Sequence, residues 1–155
     1  MLKIEIPGRE KLEIHSVIMD YNGTIAKDGI LSPGAGQLIP ELAKLVDVYV
    51  LTADTFGTVE EECRHLGITV KSFPREGAAK CKEEILQGLG KGTVAIGNGY
   101  NDILMFDAAD LSIAIIGTEG AAGSLLSHAD VIVTSPEAAI NLLLKPDRLK
   151  ATLRS

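Results

Sequence analysis

The sequence predicts an α/β fold in which a doubly wound parallel β-sheet carries helices on both faces. Short, apolar, β-branched runs recur along the 155 residues, and segments of helical composition lie between them. Strands that are apolar on both faces are typical of parallel sheets, and their alternation with helices is typical of βαβ units. The chain has the length of one compact domain and is 46% hydrophobic, so we expect residues 1–155 to form a single domain.

The elements follow one another regularly along the chain. Residues 4–14 predict a β-hairpin, broken at Pro7 and Gly8, that leads into the first parallel strand. Apolar runs predict six parallel strands, over residues 14–19, 46–51, 68–73, 93–96, 111–116 and 131–133. Helical composition predicts six helices, over residues 36–45, 57–66, 78–89, 103–109, 120–127 and 137–144.

Helix boundary signals agree with this map. Ser32 and Ser135 each precede a proline, and a serine followed by proline is typical of a helix start. Gly67 follows a predicted helix, where glycine commonly adopts the left-handed conformation that ends it.

Charge and composition exclude several classes of partner. The 15 basic and 21 acidic residues give a net charge of −6, which disfavours nucleic acid and anionic membranes. No stretch approaches the roughly 20 apolar residues of a membrane span, and residues 1–6 alternate like a strand rather than a signal peptide.

Cys63 and Cys81 lack the spacing of a redox pair or zinc site, so we expect reduced thiols and a cytoplasmic location. The basic tail, residues 145–154, could dock on the acidic body or on a partner.

Polar residues follow three of the predicted strands. They are Asp20, Thr52 and Asn98, each placed directly or almost directly after an apolar run. Ligands of open doubly wound sheets bind beyond the carboxyl ends of the strands, where the strand order reverses. We therefore expect these three residues to face one crevice.

Asp20 begins the run Asp20-Tyr21-Asn22-Gly23-Thr24. Gly23 permits an unusual backbone angle, so the amides of this loop can face an anion and cradle a phosphate. A carboxylate beside such a cradle could attack phosphorus, provided that a metal neutralises the surrounding oxygens. The structural alternative is that Asp20 only caps a turn.

Thr52 and Ala53 form the second candidate segment. The Thr52 hydroxyl and the local backbone amides are placed to donate to a phosphoryl oxygen, and the following helix would add a favourable dipole. The alternative is an ordinary helix N-cap formed by Thr52, Asp54 or Thr55.

The third segment is the glycine-flanked polar loop at residues 97–102. Its polar side chains, among them Asn101, would project towards the crevice that holds Asp20. Mg²⁺ prefers oxygen ligands and commonly takes one or two carboxylates, so Asp20, Asp102 and the Asn22 carbonyl form a plausible set. Asn98 would add a weaker amide oxygen.

A cation is also needed to hold the phosphoryl group and the nucleophile. Lys82 precedes apolar residues at helical spacing, which places it near the start of a helix packed on the sheet. Lys80 is the reserve candidate, and either residue could instead be an ordinary solvated lysine.

Together these segments resemble the four motifs of the haloacid dehalogenase superfamily of phosphohydrolases. The motifs are, in order, Asp20-Tyr21-Asn22-Gly23-Thr24, Thr52, Lys82 and Gly97-Asn98-Gly99-Tyr100-Asn101-Asp102. The likeness spans about residues 14–134. Within it, residues 97–114 most resemble phosphoserine phosphatases and the phosphorylation domain of P-type ATPases, so that a soluble, transporter-free relative of the latter is the nearest comparison.

The resemblance implies a Mg²⁺-dependent phosphatase or phosphotransferase that forms an aspartyl-phosphate on Asp20. It implies that Thr52 and Lys82 stabilise the phosphate and the nucleophile, and that Asp102 and the Asn22 carbonyl help to bind magnesium. It also implies that Thr24 fixes the loop and that the substrate is phosphorylated, either a small molecule or a macromolecule.

Two positions depart from the pattern of the superfamily. Asn22 stands where phosphatases usually carry the aspartate that acts as general acid and base; P-type ATPases also lack a carboxylate there and have threonine. An amide cannot exchange a proton near neutral pH, so a factor of about 10² to 10⁴ is missing. Asn98 stands where a metal-binding aspartate is common.

The alternative function is therefore a catalytically degenerate module that binds phosphate or a protein partner without turnover. A phospho-accepting switch of the receiver type ranks last.

The motif spacing leaves no room for a cap domain. Only 31 residues separate Asp20 from Thr52, and 29 separate Thr52 from Lys82. A site without a cap stays open, so we expect a bulky substrate or a homo-oligomer that covers it. Tyr21 and Tyr100 could line the entrance, although packing against the sheet is equally compatible with the sequence.

Overall fold

The computed structural model describes residues 1–54 and 57–155. The strands are β1 (Leu2–Ile4), β2 (Leu12–Ile14), β3 (Ser16–Asp20), β4 (Ala26–Lys27), β5 (Ile30–Leu31), β6 (Asp47–Thr52), β7 (Thr69–Ser72), β8 (Thr93–Gly97), β9 (Leu111–Ile115) and β10 (Val131–Val133). The α-helices are α1 (Pro33–Ala43), α2 (Thr58–Cys63), α3 (Ala78–Gly88), α4 (Ile103–Ala108), α5 (Pro136–Leu144) and α6 (Pro146–Leu153). Two 3₁₀ helices span Tyr100–Asp102 and Gly123–His128.

Six strands form a parallel sheet in the order β10-β9-β8-β3-β6-β7. The chain moves from β3 to β6 and β7 on one side, and then continues with β8 on the other, so the order reverses at β3. In β3, Val17 and Met19 contact the apolar cluster on one face, while Ile18 contacts the cluster on the other. The predicted doubly wound α/β fold is confirmed.

Helices cover both faces of this sheet. Buried residues of α1, α2, α5 and α6 belong to one apolar cluster, and those of α3 and α4 belong to the other. Each fully buried aliphatic side chain contributes about 1.5–3 kcal/mol to the free energy of folding. The two clusters therefore stabilise the sheet and hold the strand ends in fixed positions.

The predicted N-terminal hairpin is also confirmed, since β1 pairs with β2 in antiparallel register. The first parallel strand begins at Ser16 rather than at residue 14. Ile14 pairs with Leu2 in the hairpin, and the His15 amide donates to the Gly92 carbonyl. Residues 12–14 therefore belong to the hairpin and not to the parallel sheet.

Several helix boundaries differ from the prediction. The segment predicted as a helix over residues 120–127 is a 3₁₀ helix that starts at Gly123, because Gly120 has φ +75° in a tight turn bridged to Gly117. The helix predicted over 36–45 starts earlier, at Pro33, and the one predicted over 57–66 already ends at Cys63. Gly67 does adopt the left-handed conformation, with φ +71°.

Only one of the two predicted serine caps forms. The Ser135 hydroxyl accepts a hydrogen bond from the Ala138 amide at 3.1 Å, as an N-cap does. The Ser32 hydroxyl instead donates to the Glu137 carboxylate and so joins the starts of α1 and α5.

The structure adds a short antiparallel hairpin, β4–β5, that the sequence did not predict. It follows the loop after β3 and stands beside the carboxyl ends of the strands. The Tyr21 hydroxyl lies 2.9 Å from Glu62 Oε2 and 3.1 Å from the Gly29 carbonyl, so it connects this hairpin with α2.

The basic tail forms α6, which packs on the body through the buried side chains of Leu149 and Leu153. Of the two alternatives for the tail, the structure shows docking on the body. None of the described helices has the length and apolar surface that crossing a bilayer requires.

Candidate active site

The three strand ends named in the sequence lie side by side. Asp20 is the last residue of β3, Thr52 is the last residue of β6, and Asn98 directly follows β8. Strand β3 pairs with both β6 and β8, so the three loops that follow these strands meet at one edge of the sheet. This is the edge where the strand order reverses, and ligands of such folds bind there.

Lys82 connects two of these loops. Its Nζ lies 2.7 Å from Asp102 Oδ1 and 3.1 Å from Asp20 Oδ1, and it donates to Asn101 Oδ1 at 2.9 Å. The side chain is buried, and it projects from α3 towards the strand ends. Lys80, by contrast, is exposed and pairs with Glu83, so Lys82 is the lysine that the fold brings into the site.

The charges in this group are unequal, with two carboxylates around one ammonium. Burial, together with repulsion from Asp102, raises the pKa of Asp20 from 3.8 to about 7, although the Lys82 ammonium opposes the rise. Burial alone would lower the pKa of Lys82, but Asp20 and Asp102 outweigh it and raise that pKa, so the lysine stays charged. The Asp20 side chain remains 14% exposed, so it can be reached from solvent.

Asp102 is the anchor of the loop after β8. Its Oδ1 accepts from Lys82, and its Oδ2 accepts from the amides of Asn98 and Gly99 at 3.1 and 2.9 Å. A Cβ on Gly97 would lie 2.3 Å from Asp102 Oδ2, so the carboxylate needs a glycine at that position. Both oxygens are engaged, so Asp102 anchors this loop, and the metal-ligand role expected from the sequence stays a prediction.

Asn98 joins three loops. Its Oδ1 accepts from the Thr24 hydroxyl, and its Nδ2 donates to the Gly120 carbonyl, both at 3.1 Å. Gly23 has φ +75°, and a Cβ there would lie 2.4 Å from Asn98 Nδ2. Glycine is therefore required at position 23 for two separate reasons, and the Thr24 contact holds the loop after β3 against the loop after β8.

Thr52 is buried at the end of β6, and its Oγ1 accepts from the Asp54 amide at 3.0 Å. The Asp54 carboxylate in turn accepts from the Val59 amide near the start of α2. Helix α2 begins at Thr58, close to the predicted start at residue 57, and carries two glutamates in its first turn. The contribution of its dipole to phosphate binding beside Thr52 stays a prediction. The alternative cap residue Thr55 lies outside the described residues.

The two tyrosines occupy different environments. Tyr21 is buried in the apolar core, and burial together with the Glu62 carboxylate raises the pKa of its hydroxyl. This position is the packing alternative, and the role of Tyr21 in binding substrate stays a prediction. Tyr100 is 73% exposed at the surface.

A cleft of about 1050 Å³ opens among the loops that follow β3, β6 and β7. Its described lining includes Asn22 from the loop after β3, Ala53 from the loop after β6, and Asn101. It also includes Arg75, which the sequence analysis did not name. Arg75 follows β7 at the same sheet edge, and extending the search for polar residues after strands to this fourth strand would have found it.

Comparison with known proteins supports the family predicted from the motifs. A family model described as haloacid dehalogenase-like hydrolase matches residues 52–139, more than half of the chain. The chain belongs to the haloacid dehalogenase-like hydrolases. An uncharacterized protein of Methanocaldococcus jannaschii is 47% identical over 64 residues, which are 41% of this chain and 69% of that protein.

The predicted resemblance of this haloacid dehalogenase-like hydrolase to P-type ATPases is also confirmed. A copper-exporting P-type ATPase of Staphylococcus saprophyticus is 31% identical over an alignment of 157 positions, which covers 98% of this chain but only 18% of the ATPase. The chain thus spans about a fifth of the length of that relative.

A solved structure shares the fold of this haloacid dehalogenase-like hydrolase. It is the 3-deoxy-D-manno-octulosonate 8-phosphate phosphatase of Moraxella catarrhalis, in complex with a magnesium ion, a phosphate ion and a KDO molecule. The TM-score is 0.72 at 17% identity, over 91% of this chain and 94% of that one. The described residues between Asp20 and Lys82 hold only β4, β5, α1, β6, α2 and β7, so no cap domain is apparent in the part that the structure describes.

The donors at the strand ends of this haloacid dehalogenase-like hydrolase fit a divalent cation only in part. Within residues 1–54 and 57–155, no cluster of three acidic, histidine or cysteine side chains could hold a metal. Asp20 supplies one carboxylate, and Asn98 and the Asn22 carbonyl supply neutral oxygens in the adjoining loops. Mg²⁺ commonly binds through one or two carboxylates together with phosphate oxygens and water. The donor set therefore suits magnesium that is held jointly by the protein and a phosphoryl group.

Proposed function

We propose that this protein is a Mg²⁺-dependent phosphohydrolase or phosphotransferase that forms an aspartyl-phosphate on Asp20. The observation that carries the proposal is the contact of Lys82 with both Asp20 and Asp102 at the edge where the strand order reverses. A buried lysine that holds an accessible carboxylate beside a cleft presents a nucleophile in a fixed direction. The fold shared with haloacid dehalogenase-like phosphatases supports the same reaction.

In the first step, an Asp20 carboxylate oxygen attacks phosphorus, and the bond from phosphorus to the leaving oxygen breaks. Lys82 stabilises the carboxylate before attack and the phosphoryl oxygens that approach it. The Thr52 hydroxyl and the Ala53 backbone lie at the adjoining strand end and are placed to donate to the same oxygens. The leaving oxygen takes its proton from water, because the Asn22 amide cannot supply one.

In the second step, water attacks the phosphorus of the aspartyl-phosphate, the bond to the Asp20 oxygen breaks, and inorganic phosphate is released. The attacking water loses its proton to solvent, because Asn22 cannot accept it. Hydrolysis is therefore slower than in relatives with a carboxylate at this position, and the phosphoenzyme accumulates. If a hydroxyl group of another molecule took the phosphoryl group from Asp20 instead of water, the protein would act as a phosphotransferase.

Magnesium would be held by Asp20, the Asn22 carbonyl and Asn98, and when bound it supplies positive charge that neutralises the phosphoryl oxygens. Magnesium and phosphate in the structure of the related phosphatase support this choice of cation. Asp102 acts through Lys82 and the loop amides.

The substrate is a phosphorylated compound that enters a site without a cap, and a second copy of the chain is the proposed cover if the substrate is small. We further propose that residues 1–155 act as a single domain. Both cysteines are free thiols, which accords with the predicted cytoplasmic location.

The test is hydrolysis of p-nitrophenyl phosphate with Mg²⁺ by the wild type and by Asp20→Asn. We expect phosphate release and an acid-trapped phosphoryl adduct on Asp20 in the wild type, and neither in the variant. Equal activity of the two proteins would contradict the proposal.

A second candidate function is a degenerate module that binds phosphate without turnover. The observation that favours it is Asn98, whose amide already bonds Thr24 and Gly120 and adds no charge to the metal site. Restoring both carboxylates, Asn22→Asp with Asn98→Asp, separates the candidates. Activity that appears only in the double variant would identify the native protein as a binding module.

A further inference from the structure

We propose that Arg75 forms a second anion subsite, so that the substrate is a phosphate ester whose leaving group carries another carboxylate or phosphate. This inference rests on the proposed function, because it concerns the part of the substrate that stays outside the reacting centre. It assigns a specificity-determining role to a residue that lies outside the four motifs.

The charges around the cleft motivate the proposal. Lys82 is shared between Asp20 and Asp102, so its charge is already engaged at the reacting centre. Asp54 adds another carboxylate to the lining. Among the described residues that line the cleft, Arg75 has the one basic side chain. A substrate with several negative charges therefore has one lining cation to pair with.

Arg75 is also available. In the described part of the chain, neither a salt bridge nor a side-chain hydrogen bond involves Arg75, and its side chain is exposed. The nearby Lys80 is instead paired with Glu83, and Lys71 lies over the Tyr49 ring. An unpaired arginine, in a cleft whose described lining holds no second basic side chain, suits an anion that arrives with the substrate.

The position of Arg75 separates it from the transferred phosphoryl group. Asp20 ends β3, and Arg75 follows β7, which is the second strand away because β6 lies between them. Two strand spacings amount to roughly 10 Å at the sheet edge. Arg75 thus lies to one side of Asp20 along the sheet edge, and the proposal assigns that side to the leaving group.

Part of the cleft lining near Arg75 is apolar. Ala53, Val59, Pro74 and Ala78 line the cleft together with Arg75. Such a wall fits a compact hydrocarbon or aromatic body that joins two anionic ends. Guanidinium forms paired hydrogen bonds with carboxylate and phosphate, which makes arginine suited to recognise either group.

The experiment compares phenyl phosphate with 4-carboxyphenyl phosphate, which differ only in the second anion. We measure kcat/KM for both compounds with the wild type, Arg75→Gln and Arg75→Lys. The preference for the carboxylated compound should fall at least about tenfold in Arg75→Gln, the factor expected for one charge-assisted contact, and less in Arg75→Lys. The electronic effect of the carboxylate on the leaving group is the same in every variant, so it cancels in this comparison.

Lys91→Gln is the matched control. Lys91 precedes β8 and lies at the opposite edge of the sheet, so this variant makes the same change of net charge away from the cleft. We expect it to keep the wild-type preference. An unchanged preference in Arg75→Gln, or an equal loss for both compounds, would overturn the proposal.

Binding separates this inference from the proposed function. If the wild type hydrolyses neither compound, the proposed function fails, and calorimetry with phenylphosphonate and 4-carboxyphenylphosphonate still tests the subsite. Tighter binding of the carboxylated phosphonate that depends on Arg75 would support it, and equal binding of the two would contradict it.

Discussion

The Nζ atom of Lys82 lies closer to Asp102, at 2.7 Å, than to Asp20, at 3.1 Å. Asp102 also accepts two backbone amide hydrogen bonds, so its negative charge is the better stabilised of the two. The Asp20 carboxylate, in a largely buried site, shares the Lys82 ammonium with Asp102. The position that fixes the proposed nucleophile, Asp20, therefore also raises its pKa.

The first prediction concerns the stability of the metal-free protein. The folded pKa of Asp20 is raised from 3.8 to about 7, so its contribution to stability is complete below pH 4 and is lost as the pH rises through 7. Asp20→Asn, which is neutral throughout, should be more stable than the wild type at pH 8, by on the order of 1–3 kcal/mol. Urea unfolding in EDTA from pH 4 to pH 8 measures this difference, which should grow across that range.

The control for this prediction is Asp47→Asn, which removes an exposed carboxylate at the start of β6. Its effect on the free energy of unfolding should stay within about 0.5 kcal/mol at every pH. A less stable Asp20→Asn at pH 8 would mean that the Lys82 contact stabilises the charged form more than burial destabilises it.

The second prediction tests the lysine itself. Lys82→Met keeps most of the side-chain volume but leaves two buried carboxylates without their shared cation. We expect a loss of about 3–5 kcal/mol in the free energy of unfolding at pH 8, together with loss of phosphoryl transfer. Lys80→Met removes an exposed ion pair and should cost no more than about 1 kcal/mol. Equal effects of the two substitutions in urea unfolding would contradict the assignment of Lys82.

Strand ends were the part of the site that sequence predicted best. The alternation of β-branched runs with helical segments predicted the sheet, and parallel strands necessarily bring their carboxyl ends to one edge. Asp20, Thr52 and Asn98 could thus be grouped without coordinates. The boundaries near glycines were less certain, because Gly120 turns the chain where composition indicated a helix.

Partners of the polar side chains could not be predicted in the same way. The contacts of Tyr21 with Glu62 and of Asn98 with Gly120 join residues far apart in the chain, and no periodicity encodes them. For the same reason, sequence alone could not show that both oxygens of Asp102 are engaged. Arg75 carried a usable signal, namely its place after a strand, but it lies outside the motifs.

The third prediction concerns magnesium. Asp20 is the one carboxylate among the proposed magnesium ligands. Mg²⁺ should therefore bind weakly alone and at least about tenfold more tightly in the presence of inorganic phosphate. Asn98→Asp should raise the affinity without phosphate. It should also destabilise the metal-free protein, because a carboxylate would face the Gly120 carbonyl. Calorimetric titration with and without phosphate measures both affinities.

The control for the magnesium prediction is Asn141→Asp on α5, which adds the same charge outside the strand-end loops. It should leave both affinities unchanged. Tight binding of Mg²⁺ to the wild type without phosphate would show that the proposed donor set is incomplete.

The fourth prediction concerns Asn22 and the leaving group. Without a proton donor, the rate of transfer to Asp20 should depend steeply on the pKa of the leaving alcohol, so aryl phosphates should react much faster than alkyl phosphates. Asn22→Asp supplies a carboxyl group that can donate to the leaving oxygen and then accept a proton from water. It should flatten the dependence on leaving-group pKa and speed phosphoenzyme breakdown by a factor of about 10² to 10⁴. Quenched-flow measurement of the phosphoenzyme with a series of substituted phenyl and alkyl phosphates tests both effects. Asn22→Ser, which has no carboxyl group, is the control and should keep the steep dependence; a flat dependence in the wild type would mean that another group protonates the leaving oxygen.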